Sequence, residues 1–262
     1  MKIQLEPMNK FSSASKLAMI LHWLEWEVSS HNADVKLWIT DAAFDDSKFY
    51  NWRKRDMNKR MLNEAFESVF GYRIGIDPQR HVGPAVEKPL GHGIHGKVVQ
   101  CPKCPVGDMA YQLLLSNRND GWTDEYRLDI FCNEIIVTLK HQKLQRSGIP
   151  QERRTDGSSE YDLVLGEHFY PQEQRKIVEF CKHVGMDYGS LDAIRHRDGR
   201  LYIIDATCNV GVPEMSWHRN LTMDKYLERQ AQAFERNFSR LDNHEPIELS
   251  INRVREETAA QD

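Results

Sequence analysis

The chain has no apolar run long enough to cross a membrane: Ala18-Met19-Ile20-Leu21 meets His22, then Glu25 and Glu27, far short of the ~20 apolar residues that a spanning helix needs. No basic stretch precedes that run, so no signal peptide is expected. The cysteines, at 101, 104, 132, 181 and 208, are an odd set without regular spacing. That argues against a disulfide framework and for a reducing, cytoplasmic setting. Cys101-Pro102-Lys103-Cys104 lacks the second pair that a structural zinc site requires, and reads as a reduced turn. No two histidines stand at helical H-x-x-x-H or H-E-x-x-H spacing, so a transition-metal site is unsupported. Charge of one sign is also missing: a net charge of −4 over 262 residues gives no reason to expect a nucleic-acid partner. What remains, with 40% hydrophobic and 28% charged residues and no internal repeat, is a globular chain of one large domain or two lobes sharing a cleft.

Residues 14–29 read as a helix and 35–39 as an extended stretch. A second helix over 56–69 puts Met57, Met61, Leu62, Ala65, Phe66 and Val69 on one face and stops at Gly71. Strands follow at 85–89, around Val98-Val99 and at 111–115, and then a hairpin of 126–131 and 134–140 joined through Cys132-Asn133. The polar stretch 147–162 reads as a loop. A helix opening at Pro171 and ending at Gly185 precedes two strands, 190–195 and 201–206, joined by Asp198-Gly199. A last helix covers 222–239, and the tail beyond 250 is charged.

Gly91, Gly93 and Gly96 spell G-x-G-x-x-G, but Lys97-Val98-Val99-Gln100 after them is a strand, where a dinucleotide fold needs a helix. A glycine turn between strands still lets backbone N–H groups approach phosphate oxygens. Lys88, on the preceding strand, can present an ammonium to the same oxygens. Protein kinases place the lysine strand after the glycine loop, so this order is not theirs, and His196-Arg197-Asp198 reads as a hairpin turn. That turn sets Asp192 and Asp205 nearly opposite each other on adjacent strands, each in an apolar setting. Two carboxylates there repel unless a cation lies between them, and Mg²⁺ takes carboxylate oxygens together with phosphates and water.

The ordered set over roughly 54–217 resembles the ATP-grasp superfamily, and its strand pair resembles the branch of ribosomal-protein glutamate ligases. Val86-Glu87-Lys88-Pro89 and the glycines are similar to its lysine strand and phosphate-covering loop, and Lys59 is similar to its earlier phosphate lysine. Tyr111-Gln112-Leu113-Leu114-Leu115 resembles the linker whose backbone reads adenine, which implies Gln112, Leu113 and Leu114 as nucleotide contacts. Glu125-Tyr126-Arg127 and Asn133 to Lys140 resemble the paired strands whose basic residues serve substrate or phosphate, which implies roles for Arg127 and Lys140. Tyr188 to Asp192 and Leu201 to Asn209 resemble the strands that carry the magnesium ligands. The family's acid-x-asparagine appears here as Asp205-Ala206-Thr207, so the third oxygen falls to Thr207 or to Asn209 through a shifted turn.

The resemblance implies an α+β fold in which two lobes clamp ATP and Mg²⁺: an N-terminal remnant over 1–53, shorter than the family's usual preceding domain, an ATP-grasp domain over 54–240 and a charged tail over 241–262. It implies ligation of a small-molecule or peptide carboxylate to an amine or other nucleophile. A small-molecule kinase and a nucleotide-binding module without turnover are the other readings.

Overall fold

A computed structural model describes residues 1–6, 16–39, 57–91, 96–117, 122–144, 160–163, 169–208 and 223–238. The N-terminal part is a small parallel sheet, not a long helix. Strand β1 (Lys2–Glu6) lies between β2 (Glu27–Val28) and β3 (Val35–Trp38), and helix α1 (Lys16–Trp23) is only eight residues long. The helix predicted over 14–29 ends early because Glu25 turns the chain at φ 55, which starts β2 along β1.

Helix α2 (Lys59–Phe70) begins where the side chain of Asn58 accepts from the N–H groups of Arg60 and Met61, and it ends at Gly71 in the left-handed conformation. Such a cap contributes about 1 kcal/mol. Beyond it, β4 (Gly83–Pro89) is the centre of a three-stranded antiparallel sheet, flanked by β5 (Lys97–Cys101) and β6 (Met109–Leu113). The outer edge of β6 is covered by the chain at Ile74–Ile76, through Leu113 N–H to Ile74 O and Ile76 N–H to Tyr111 O.

The large sheet is antiparallel throughout, in the order β11-β10-β7-β8-β9. Its members are β7 (Trp122–Phe131), β8 (Glu134–Leu144), β9 (Glu160–Leu163), β10 (Tyr188–Arg195) and β11 (Leu201–Thr207). Strand β9 begins inside the stretch read from sequence as loop; pairing with β8 overrides its polar composition. Helices α3 (Pro171–Val184) and α4 (Met223–Phe238) complete the fold.

Strand alternation gives the large sheet two apolar faces. Leu128, Ile130, Leu191 and Ala193 pack with Phe66 of α2 and with Ile177 and Phe180 of α3. Phe131, Val137, Leu139 and Tyr188 pack with Phe234 of α4 and with Ile3, Leu5 and Ile20 of the N-terminal unit. A sheet covered on both sides is held in register, because a one-residue slip would move every apolar side chain to the wrong face.

Candidate functional site

Lys59 stands at the first position of α2, with its backbone N–H 3.4 Å from Leu90 O at the end of β4. Its ammonium donates to Asp205 Oδ1 of β11. Lys88, on β4, donates to the carbonyl of Ile204, one residue before Asp205, at 3.2 Å. These two lysines therefore reach from α2 and from the small sheet to β11 of the large sheet. The hairpin brings Asp205 opposite Asp192 in register, and Asp192 opposite Arg127 of β7, with Arg127 Nη1 4.0 Å from Asp192 Oδ1.

The charges act on one another. Burial draws the Lys88 ammonium down to about 8; Lys59 adds to that, while Asp205, Glu125 and Asp192 pull the other way. Burial pushes the Asp205 carboxyl up, but Lys59, Lys88 and the Ala206 N–H together outweigh it and hold the group below the ordinary aspartate range. Glu125, which the sequence reading passed over, belongs to this cluster: it is 8% exposed and lies two residues before Arg127, on the same face of β7. Its place was signalled by that period of two.

The glycine loop is described only at its ends. Gly91 is exposed with open space around it, whereas a Cβ on Gly96 would stand 2.7 Å from Lys88 Cγ and 2.9 Å from Glu87 O. Gly96 is thus needed so that the returning strand can pass close over Lys88. Gly93 and Asn209 lie outside the described residues. Thr207 is opposite Ser190 and shares the face of Asp205.

In the linker, the Gln112 side chain donates to Asn63 Oδ1 of α2 at 2.7 Å. The Leu113 N–H is committed to Ile74 O, and Ser116 is clasped by the hairpin turn: its N–H donates to His196 Nδ1 at 2.9 Å and its carbonyl accepts from Arg197 N–H at 3.0 Å. Leu114, between them, continues without strand pairing.

Lys140 is not brought to the cluster. Arg127 is opposite Leu139, and Lys140 is opposite Tyr126, on the other face of the sheet, where its ammonium is 3.0 Å from Asp124 Oδ2. A bulge between Asp129 and Ile130 is the cause. An unbroken register from the Phe131↔Glu134 pair would have set Lys140 opposite Glu125, beside Arg127.

No family model and no curated protein sequence matches the chain. Solved structures do. The ATP-grasp ligase PsnB, complexed with a phosphomimetic variant of its minimal precursor, Mg and ADP, aligns at TM-score 0.58 and 9% identity over 89% of this chain and 98% of that one. The macrocyclase MdnC, bound with precursor peptide MdnA from Microcystis aeruginosa MRC, aligns at TM-score 0.55 and 10% identity, over 88% and 98%. The D-alanine–D-alanine ligase of Bacillus anthracis, complexed with ATP, aligns at TM-score 0.54 and 12% identity, over 98% and 99%. The chain has the ATP-grasp fold.

Proposed function

We propose that this chain binds ATP with Mg²⁺ against the Lys59–Lys88–Asp205 cluster and joins a carboxylate to an amine through an acyl phosphate. The observation that carries the reading is the convergence, on an ATP-grasp fold, of two buried lysines, one on α2 and one on the small sheet, with an in-register pair of carboxylates from the large sheet.

The residues suit the cation. Asp192 and Asp205 offer the oxygen donors that Mg²⁺ takes, and among the described residues no third His, Cys, Asp or Glu completes a metal site made by protein alone, which fits a cation shared with phosphate. Asp192 and Asp205 hold it, with Thr207 or Asn209 as the third oxygen. When bound, Mg²⁺ withdraws negative charge from the phosphate oxygens. Lys59 and Lys88 bind the polyphosphate, and Arg127 offsets charge on the substrate carboxylate and transferring phosphoryl group. Gly91 to Gly96 cover the phosphates, and the linker backbone at Leu114 reads the base. A carboxylate needs such activation because its own leaving group would be oxide; phosphorylation supplies a far better one, provided water is kept out. The substrates we assign are small-molecule or peptide carboxylates and amines; PsnB and MdnC were solved with peptide precursors.

The test is a screen of carboxylate and amine pools for substrate-stimulated ADP release. With oxygen-18 in the responding carboxylate, one label is expected in the released phosphate, and hydroxylamine is expected to trap a hydroxamate. AMP with pyrophosphate would mean an acyl adenylate, a stable phosphorylated product a kinase, and folded protein that binds Mg²⁺-ATP without turnover a binding module.

A further inference from the structure

We infer that Lys59 makes cation binding at Asp205 conditional on nucleotide: the site takes metal and polyphosphate together and refuses free divalent cation. This rests on the nucleotide-binding reading above, and goes beyond it by assigning Lys59 a role toward the metal as well as the phosphates.

The Lys59 ammonium already holds Asp205 Oδ1, an oxygen a cation would ligate, and its side chain is 2% exposed against 34% for Asp205. The second carboxylate is also countered, by Arg127 Nη1 at 4.0 Å from Asp192 Oδ1. Across the cluster, the cations Lys59, Lys88 and Arg127 balance the anions Glu125, Asp192 and Asp205. A dication arriving alone must displace the ammonium from Asp205 and then share a poorly solvated space with it, like charge against like. It gains little in return, since among the described residues no third His, Cys, Asp or Glu joins Asp192 and Asp205 to hold it. A polyphosphate arriving alone draws Lys59 away and strands the Asp205 carboxylate without its counter-charge.

Arriving together, each takes the partner the other releases: the ammonium turns to phosphate, and the carboxylate to metal, whose remaining positions the phosphate oxygens fill. The exchange needs only a side-chain movement, because the Lys59 backbone is fixed at a capped helix start. In linkage terms the two ligands have a coupling free energy, and Lys59 is its source.

The full chain is titrated with Mn²⁺ by electron paramagnetic resonance without nucleotide, and with a non-hydrolysable ATP analogue by equilibrium dialysis, in EDTA and then in Mn²⁺. For the wild type, Mn²⁺ alone is expected to find no site, and the analogue to bind at least ~10-fold tighter with Mn²⁺ than in EDTA. Lys59→Met is expected to bind Mn²⁺ alone at least ~10-fold tighter than the wild type does, and Lys59→Arg, which keeps the cation, to behave as wild type. Wild-type binding of Mn²⁺ as tight without analogue as with it overturns the inference, as does a folded Lys59→Met that gains no Mn²⁺ affinity. If Lys59→Met does not fold, the wild-type Mn²⁺ titration and Lys59→Arg decide alone. Failure of analogue and Mn²⁺ to bind together would overturn the nucleotide reading itself; joint binding without coupling overturns only the role of Lys59.

Discussion

Asp129 and Asp192 lie on the same face of the same sheet, one pleat from the Arg127↔Asp192 pair to the Asp129↔Ser190 pair, yet they are held in opposite ways. Asp129 is 2% exposed and receives Ser190 Oγ at 2.6 Å, Tyr226 OH at 2.6 Å, Gln230 Nε2 at 2.7 Å and the buried Lys16 ammonium at 2.9 Å. Those donors come from β10, α4 and α1, so a single carboxylate ties the N-terminal unit and the last helix to the sheet. Burial pushes its pKa up, but Lys16 and the hydrogen bonds outweigh that and hold it low. Asp205 meets Lys59 of α2, Asp192 meets Arg127 on the neighbouring strand, and both carboxylates keep partial exposure. An anion enclosed by many fixed donors is architecture. One countered by the mobile end of a long basic side chain, as Lys59 counters Asp205, can exchange that contact for a ligand.

The largest expected effect breaks the first half of this contrast. Lys16→Met removes the ammonium paired with a buried carboxylate and is expected to cost about 3–5 kcal/mol of stability, read by urea unfolding. Nucleotide affinity of the folded fraction is expected to stay near wild type. A stability loss under about 1 kcal/mol would show that the three neutral donors suffice without Lys16.

Asp205→Asn breaks the second half. It keeps the volume and an acceptor for Lys59 while removing the charge, so the unfolding midpoint is expected to fall by less than in Lys16→Met. Binding of the ATP analogue with Mg²⁺ is expected to weaken by at least ~10-fold, or about 1.4 kcal/mol. A variant that unfolds like Lys16→Met would move Asp205 into the architectural class. Thr207→Ala and Asn209→Ala, assayed alongside, ask which supplies the third oxygen, and we expect the larger loss at Asn209.

The glycines sharpen the contrast at smaller scale. Gly96→Ala forces a Cβ into Lys88 Cγ and the Glu87 carbonyl, so it displaces the lysine, and analogue binding is expected to weaken by ~3–10-fold, about 1 kcal/mol. Gly91→Ala meets open space and is expected to change binding less than twofold, within about 0.4 kcal/mol. Equal effects at both positions would mean that the loop acts as a flexible cover rather than through contact with Lys88.

These contrasts also mark what the sequence could reveal. Asp198-Gly199 sets the β10–β11 register, and with it the Asp192↔Asp205 pair, because a tight turn fixes which residues oppose. The place of Lys88 on a strand leading into the glycines was legible because the two segments are adjacent in the chain. Lys140 was misplaced because its face depends on a bulge one pair removed from the Cys132-Asn133 turn, and nothing in Asp129-Ile130 announces an extra residue on the opposing strand. The Asp129 cluster was invisible for another reason: Lys16, Ser190 and the Tyr226–Gln230 pair of α4 are far from one another and from Asp129 in sequence and meet only in the folded chain. Strand β9 was hidden because edge pairing can draw a polar segment into a sheet.

Glu87 offers the smallest effect on binding and a test of the rule itself. It neighbours Lys88 in sequence but points to the other face of β4, where it is 2% exposed and receives Lys103, Lys97 at 2.9 Å and Tyr111 OH at 2.8 Å. By the number of its donors it resembles Asp129, and by its place in the chain it resembles the site. The hydrogen bond from Lys103 leads the causes that outweigh burial and hold its carboxyl at about 2, against 4.5 for an ordinary glutamate. A carboxyl whose pKa is lower folded than unfolded contributes stability that is full above its unfolded value and disappears as pH falls through its folded one. The stability advantage of wild type over Glu87→Gln is therefore expected to be constant above about pH 4.5, to shrink below it and to vanish near pH 2, followed by urea midpoints across that range. If donor number decides, analogue binding at neutral pH changes less than twofold in Glu87→Gln; if nearness to Lys88 decides, binding weakens as in Gly96→Ala and the pH dependence of stability is unaltered.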